Sequence, residues 1–293
     1  MRVLVTGAGG QVGRELVIAL ERRAGAMRRD RLEVVAASRA ELDVCRRDQV
    51  LAAVHAVEPD VIVHPAAFTA VDACERRPEL AFATNAMGTR FVAEAARQVG
   101  AHVCYLSTDY VFDGRADRPY VEWDPPNPLS VYGRSKLGGE RELDPCWTIV
   151  RISWVCGRFG ANMAKTVLRL AAQRDVPLRF VDDQRGSPTI VSDLIERVME
   201  LALGRFAGIF HVTNQGATTW YGFARAVLAA AGEDPGRVEP IDSASLDPPR
   251  PAPRPANSVL ENAALAAAGL ELLPAWEESL AALVRTLRAE GEG

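Results

Sequence analysis

Lysine is almost missing from this chain. Of its 34 Lys and Arg residues, only Lys136 and Lys165 are lysines. A Lys kept where the chain otherwise uses Arg points to a property that only an ammonium supplies. Cysteine is sparse too. The five, Cys45, Cys74, Cys104, Cys146 and Cys156, lie far apart and form no C-x-x-C. That spacing argues against a redox pair or a zinc site and fits free thiols packed as small hydrophobes. No His or Cys pair stands at metal-ligand spacing, so no metal site is expected. No apolar run approaches the ~20 residues that span a bilayer. No face combines basic residues with aromatics, and the net charge is -4, so neither membrane nor nucleic acid is an expected partner. The opening "MRVLVTGAGG" enters a strand at once, which leaves no room for a leader and implies a cytoplasmic protein. No internal repeat is visible.

What is present is ample material for a core: 293 residues, 48% of them hydrophobic, enough for one large or two modest domains. "RVLVTG", "LEVVAAS", "DVIVHPAA", "HVCYLST" and "WTIVRIS" read as five strands, rich in β-branched residues. Between them, "QVGRELVIALERR", "RRDQVLAAVHAV" and "PELAFATNAMGTRFVAEAARQVG" have helical period, and a further helix begins near Val131. Strands alternating with helices imply an α/β fold, a doubly wound parallel sheet of Rossmann type. Unbroken runs such as Val61–Val63 agree, because such strands are covered on both faces. After Ser153 the pattern loosens. "PLRFVDD" and "GIFHVTN" read as strands among helices, and "DPPRPAPRPAN" is a Pro-rich surface stretch. We therefore expect a dinucleotide-binding domain over residues 1–153 with a returning segment near 190–214. A smaller, interleaved α/β substrate lobe is expected over residues 154–293.

Gly7, Gly10 and Gly13 form G-x-x-G-x-x-G between the first strand and the first helix. Glycine there allows a tight turn and close approach of backbone to a pyrophosphate seated on the helix N-terminus. The strand-before, helix-after context makes this a dinucleotide site. The second strand ends at Ser38-Arg39 with no acid to hold a ribose 2′-hydroxyl, and an Arg there accommodates a 2′-phosphate. The expected cofactor is NADPH, with NADH as the alternative donor.

Tyr132 and Lys136 are four residues apart, on one face of a helix. A phenol with an ordinary pKa near 10 gives up its proton reluctantly at neutral pH. A neighbouring ammonium lowers that pKa and can also bond a cofactor ribose, which explains why Arg does not stand at this place.

The stretch "YGRSKLGGE" is similar to the Y-G-x-S-K-x-x-x-E signature of extended short-chain dehydrogenases/reductases. "LSTDYVFDG", "AAFTAVDACE", "DPPNPLSVYGRSK", "VRISWVCG", "DQRGSPT" and "RPANSVLE" resemble segments of the dTDP-4-dehydrorhamnose reductase family, over roughly the whole chain. That resemblance implies NADPH-dependent reduction of the C4 ketone of dTDP-4-dehydro-6-deoxy-L-mannose to dTDP-L-rhamnose, by a monomer or homodimer. It implies that Thr108 bonds the substrate carbonyl, that Tyr132 gives the proton, and that Lys136 tunes Tyr132 and holds the nicotinamide ribose. It implies cofactor contacts at Gly7, Gly10, Gln11, Val12 and Gly13, at Asp43 and Val44, and at Ala66 and Ala67. It places substrate contacts at Asp109, Tyr110, Trp154, Asn162, Gln184, Arg185, Pro188 and Arg254. A magnesium requirement is left open.

The chain departs from the family at "HPAAFT", where His64, Pro65 and Phe68 replace Asn, Ala and Tyr. For His64 we expect a structural role. Four alternatives share these motifs. A 4,6-dehydratase would need a Glu after Asp109, where Tyr110 stands. The others are a reductase of another NDP-4-keto-6-deoxyhexose, an epimerase, and an NADP-binding regulatory subunit of the methionine adenosyltransferase type.

Overall fold

The computed structural model describes residues 1–26, 32–173 and 177–291. Its first half alternates strand and helix: β1 (Arg2–Thr6), α1 (Gln11–Ala26), β2 (Glu33–Ala37), α2 (Arg47–Val57) and β3 (Val61–His64). Then come α3 (Val71–Arg76), α4 (Pro78–Phe82), α5 (Gly88–Val99), β4 (His102–Thr108), α6 (Val131–Glu140) and β5 (Thr148–Ile152). The second half holds β6 (Val155–Cys156), α7 (Met163–Ala171), β7 (Leu178–Val181), β8 (Arg185–Gly186), β9 (Thr189–Ile190) and α8 (Val191–Leu203). It continues through β10 (Gly208–His211), β11 (Thr218–Thr219), α9 (Trp220–Ala230), β12 (Val238–Ile241), α10 (Ala263–Ala267) and α11 (Trp276–Gly291).

The main sheet has the order β10-β5-β4-β3-β1-β2, and every pair in it is parallel. The side-chain period of two sorts each strand's residues onto two buried faces. Val3, Val5, Val61, Val63, Cys104 and Leu106 meet α1 and α8 through Leu16, Leu20, Leu194 and Val198. Their neighbours Leu4, Ile62 and Val103 point the other way, onto Val50, Val54, Val92 and Ala96 of α2 and α5. That is why these strands read as continuous apolar runs.

The chain leaves β1 for β2 on one side and returns to β3 on the other. This reversal opens a crevice at the carboxyl ends of β1 and β3, where such sheets bind ligands. A separate apolar cluster, including Val167, Leu178, Phe180, Phe223, Val227, Val238, Trp276 and Leu280, is built by α7, β7, α9, β12 and α11. The expected strand over "GIFHVTN" is β10, which extends the main sheet beside β5.

One expected element differs. The long helix from Pro78 is divided by a π-helical turn, Ala83–Met87, between α4 and α5. The wider turn carries buried Asn85 inward. Its carboxamide accepts from Phe68 N at 2.7 Å and donates to Phe68 O at 3.1 Å and Ser135 Oγ at 2.9 Å. The turn thus ties the loop after β3 to α6. Such turns recur at functional sites. Among the described residues no helix is long and apolar enough to cross a membrane.

Candidate active site

Two adjoining cavities, of about 460 and 480 Å3, share Gly7, Gly10, Pro65 and Ala67 in their walls. Gly7 sits at φ +58, where an added Cβ would lie 2.7 Å from Ala66 Cα. At Gly13 a Cβ would lie 2.4 Å from Gly7 O. The loop therefore closes onto α1 and β3 only because these positions are glycine. Arg14 N bonds back to Gly10 O at 3.0 Å, so the N–H groups of Gln11, Val12 and Gly13 have no partner within the helix. These three residues line the first cavity, and a helix N-terminus there suits an anion. The Gln11 side chain is otherwise engaged. It donates to Val155 O and accepts from Asn162, each at 3.1 Å.

The second cavity is lined by Ser38, Arg39, Asp43, Val44, Ala66 and Ala67. Phe68 lies there too, and its ring packs with the cluster holding Val131 and Tyr132. The strand end carries an acid that the sequence reading passed over. Glu41 accepts from Ser38 N at 2.7 Å, and this backbone bond holds its carboxyl below the usual range. Arg39 is left exposed at the cavity wall.

The first cavity gathers Thr108, Asp109, Tyr110, Tyr132, Lys136 and Trp154. Glycines again permit the approach. A Cβ at Gly133 would lie 2.1 Å from Tyr110 O, and one at Gly139 would lie 2.4 Å from Asn85 O. Helix α6 starts at Ser130, whose Oγ accepts from Gly133 N at 3.1 Å. It then presses its Tyr132–Lys136 face against the end of β4. Tyr110 meets Tyr132 edge to face at 5.6 Å.

Burial governs the proton affinities here. The Tyr132 phenol is held well above its ordinary value by burial, with the Thr108 hydroxyl opposing. Lys136 is pulled down to about 7 by burial, against the charge of Glu140. This differs from the expected depression of the Tyr132 pKa by Lys136. The ammonium is turned to the Leu106 carbonyl, 2.6 Å away, and lies 3.9 Å over the Tyr105 ring. His64, fully buried, is brought down to about 3 by burial and then by Lys136. It contacts Thr6 Oγ1 at 2.7 Å and Thr89 Oγ1 at 3.3 Å. The ring is thus a neutral hydrogen-bonding strut at the end of β3.

Several expected substrate residues have other partners. Asn162 caps α7, accepting from Lys165 N at 3.1 Å, and also donates to Gly157 O at 2.8 Å. Gln184 donates to Ser243 Oγ at 2.6 Å. Arg254 forks onto Asp72 at 2.7 and 3.0 Å, and this contact holds the Asp72 carboxyl low. Pro188 is buried and Arg185 exposed, and neither lines the cavity. Trp154, at φ 45, stacks on Trp220 at 3.5 Å. One face of the indole is therefore taken, and the stacked pair forms a wall. Asn85, Ser153, Trp220 and Ser258 are site residues that the sequence reading missed. Asn85 and Trp220 show no local pattern in the sequence, and Ser258 stands inside a quoted segment. Among the described residues, no three or more His, Cys, Asp or Glu side chains are grouped to hold a metal ion.

The profile described as "RmlD substrate binding domain" matches residues 1–289. A dTDP-4-dehydrorhamnose reductase of Streptomyces griseus is 44% identical, over 95% of this chain and 91% of that one. The chain belongs to the dTDP-4-dehydrorhamnose reductase family. Another member-like relative, a probable dTDP-4,6-dihydroxy-2-methyloxan-3-one 4-ketoreductase of Streptomyces antibioticus, is 41% identical over 96% and 93% of the two chains. Among solved structures, the dTDP-4-dehydrorhamnose reductase of Bacillus anthracis in complex with NADP superposes with TM-score 0.89 at 35% identity, covering 96% and 98%. The family's fold is the Rossmann-type sheet described above.

Proposed function

We propose that this protein reduces the C4 ketone of dTDP-4-dehydro-6-deoxy-L-mannose with NADPH, giving dTDP-L-rhamnose in the cytoplasm. The observation that carries the reading is the convergence of Thr108, Tyr132 and Lys136 on a cavity that runs on into a glycine-lined crevice. The crevice suits a dinucleotide, because Gly7 and Gly13 admit no Cβ and the first residues of α1, whose N–H groups have no partner within the helix, line it. The Gly7–Gly13 loop would hold the pyrophosphate, Asp43 and Val44 the adenine end, and Arg39 a 2′-phosphate. Ala66 and Ala67 would pack along the cofactor. A reduced nicotinamide, when bound, supplies the hydride.

The residues supply the rest. As C4 gains hydride its oxygen gains negative charge, so two placed hydroxyl donors stabilise the transition state more than the ketone. Tyr132 gives its proton to that oxygen and Thr108 bonds it. The high Tyr132 pKa keeps the phenol protonated at neutral pH, as a general acid requires. The Trp154–Trp220 wall excludes water on the sugar side, and Tyr110 closes the edge beside Tyr132. We assign the nucleotide to residues 1–153 with the strand and helix near 190–214, and the sugar to the lobe of residues 154–293.

The test follows reduced-nicotinamide absorbance with substrate made in situ from dTDP-glucose. Substrate-dependent consumption, lost in Tyr132→Phe, supports the reading, and no consumption despite NADPH binding overturns it. The Streptomyces antibioticus relative favours a second reading, reduction of another dTDP-linked keto sugar. A panel of such ketones separates the two.

A further inference from the structure

Asp109 is 2% exposed, and a buried carboxylate needs an account of its bonds. Its Oδ1 is 3.0 Å from Thr108 Oγ1, and its Oδ2 accepts from Ser153 Oγ at 3.0 Å. The Ser258 hydroxyl is a further partner. Ser153 follows β5, and Ser258 comes from the segment after the Pro-rich stretch. The pocket for this carboxyl is thus assembled from three distant parts of the chain.

The donors and acceptors around Thr108 can be counted. A hydroxyl has one proton and two lone pairs. One lone pair of Thr108 Oγ1 takes Tyr110 N–H at 3.2 Å, and the Tyr132 phenol is a further hydrogen-bond partner of this hydroxyl. If Asp109 is ionised, the hydroxyl proton must go to Oδ1, and Thr108 has none to offer the cavity. If Asp109 carries a proton on Oδ1, that proton fills the second lone pair. The Thr108 proton is then directed away from Asp109, to the Tyr132 oxygen or, when a ketone is bound, to its carbonyl oxygen. Resting on the reductase reading above, we infer that Asp109 is a positioning residue whose protonated carboxyl, by donating to Thr108, releases the Thr108 hydroxyl proton to bond the substrate carbonyl. No proton is consumed at Asp109. The hydride and the Tyr132 proton complete the alcohol, and the Asp109–Thr108 pair only polarises the oxygen.

Burial raises the Asp109 pKa to about 6, against the hydroxyls of Ser258, Ser153 and Thr108, so the carboxyl carries its proton below that pH and is mostly ionised at pH 7. The ionisable groups facing it are phenols, Tyr110 on its own segment and Tyr132 from α6, both protonated at neutral pH. The charges of Arg250 and Arg254 act on Tyr110, where they oppose the rise in its pKa.

The test compares wild type with Asp109→Asn and Asp109→Ala. The Asn amide can donate to Thr108 and accept from the serines, which reproduces the protonated arrangement at every pH. One readout needs no turnover: the infrared carboxyl C=O band in the wild-type minus Asp109→Asn difference spectrum of the full chain with NADP+, followed from pH 4 to 9. A protonated band persisting to pH 6 or above is expected. A band gone before pH 6 overturns the inference, whatever the substrate proves to be. The second readout is kcat against pH. Wild type is expected to lose about tenfold per pH unit above the carboxyl's pKa. Asp109→Asn should lack that limb, and Asp109→Ala should be at least tenfold slower throughout. A limb of equal slope and position in Asp109→Asn would contradict the inference. Wild type inactive on every keto sugar, with the band present, would sink the reductase reading alone.

Discussion

His64 shows how one residue can couple the core to pH. It stands neutral inside the sheet, its pKa brought down to about 3 by burial, and His211 is held at about 3 for the same reason. The folded pKa lies below the unfolded one, so on acidification the unfolded state takes the proton first. The stability from each neutral ring is present above pH 6.5 and is lost as pH falls toward 3, by about 1.4 kcal/mol per pH unit. His64→Asn, which restores the family's residue, should remove one such contribution. Between pH 7 and 4.5 wild type should lose about 2–3 kcal/mol more than the variant, measured by urea denaturation. Equal losses would show that the ring does not remain neutral. Arg39 makes a second case. Arg39→Ala should lower the preference for NADPH over NADH at least tenfold, read from Kd by cofactor fluorescence, while an unchanged ratio would place the 2′-phosphate elsewhere. Both residues were legible in the sequence as single departures or strand-end signals. The partners of Asp109 were not, because Ser153 and Ser258 lie 44 and 149 positions away and only folding brings them together.

At the scale of elements, the active site depends on how closely α1 and α6 approach the sheet. Gly13→Ala would drive a Cβ to 2.4 Å from Gly7 O and push the loop off the helix. The expected result is at least tenfold weaker NADPH binding with a native far-ultraviolet circular dichroism spectrum. Unchanged affinity would mean that the loop does not hold the dinucleotide. Helix α6 is fixed at its far end by Glu140. Its carboxylate is forked by Arg151 at 2.7 and 2.9 Å and bonded by Ser107, and both members of the ion pair are buried. Removing one partner of a buried pair costs about 3–5 kcal/mol, so Glu140→Ala should destabilise by about that much in urea. A loss under 1 kcal/mol would show the pair to be solvated. The strands and most helices were legible, because burial on both faces writes continuous apolar runs and amphipathic helices keep their period. The π-helical turn was not. It differs from an α-turn by one residue of register, and "ATNAM" has no composition that distinguishes the two.

At the scale of the molecule, the sheet supplies the crevice and the second apolar cluster backs Trp220, which with Trp154 walls the first cavity. The G-x-x-G-x-x-G and Y-x-x-x-K spacings marked residues that the fold brings to the walls of the adjoining cavities. The expected substrate residues were less legible. Asn162, Gln184 and Arg254 are polar residues in polar loops, and their sequence context does not say that they bond to the protein itself. The central claim is hydride delivery to C4 of a dTDP-linked sugar at the Thr108–Tyr132–Lys136 cavity. The most direct measurement uses NADPH deuterated at both C4 positions of its nicotinamide, with dTDP-4-dehydro-6-deoxy-L-mannose as acceptor, and locates the deuterium in the product by NMR. The account predicts dTDP-L-rhamnose with deuterium at sugar C4, and none with Tyr132→Phe. Deuterium at another carbon, or a reduced product formed equally well by the variant, would contradict it.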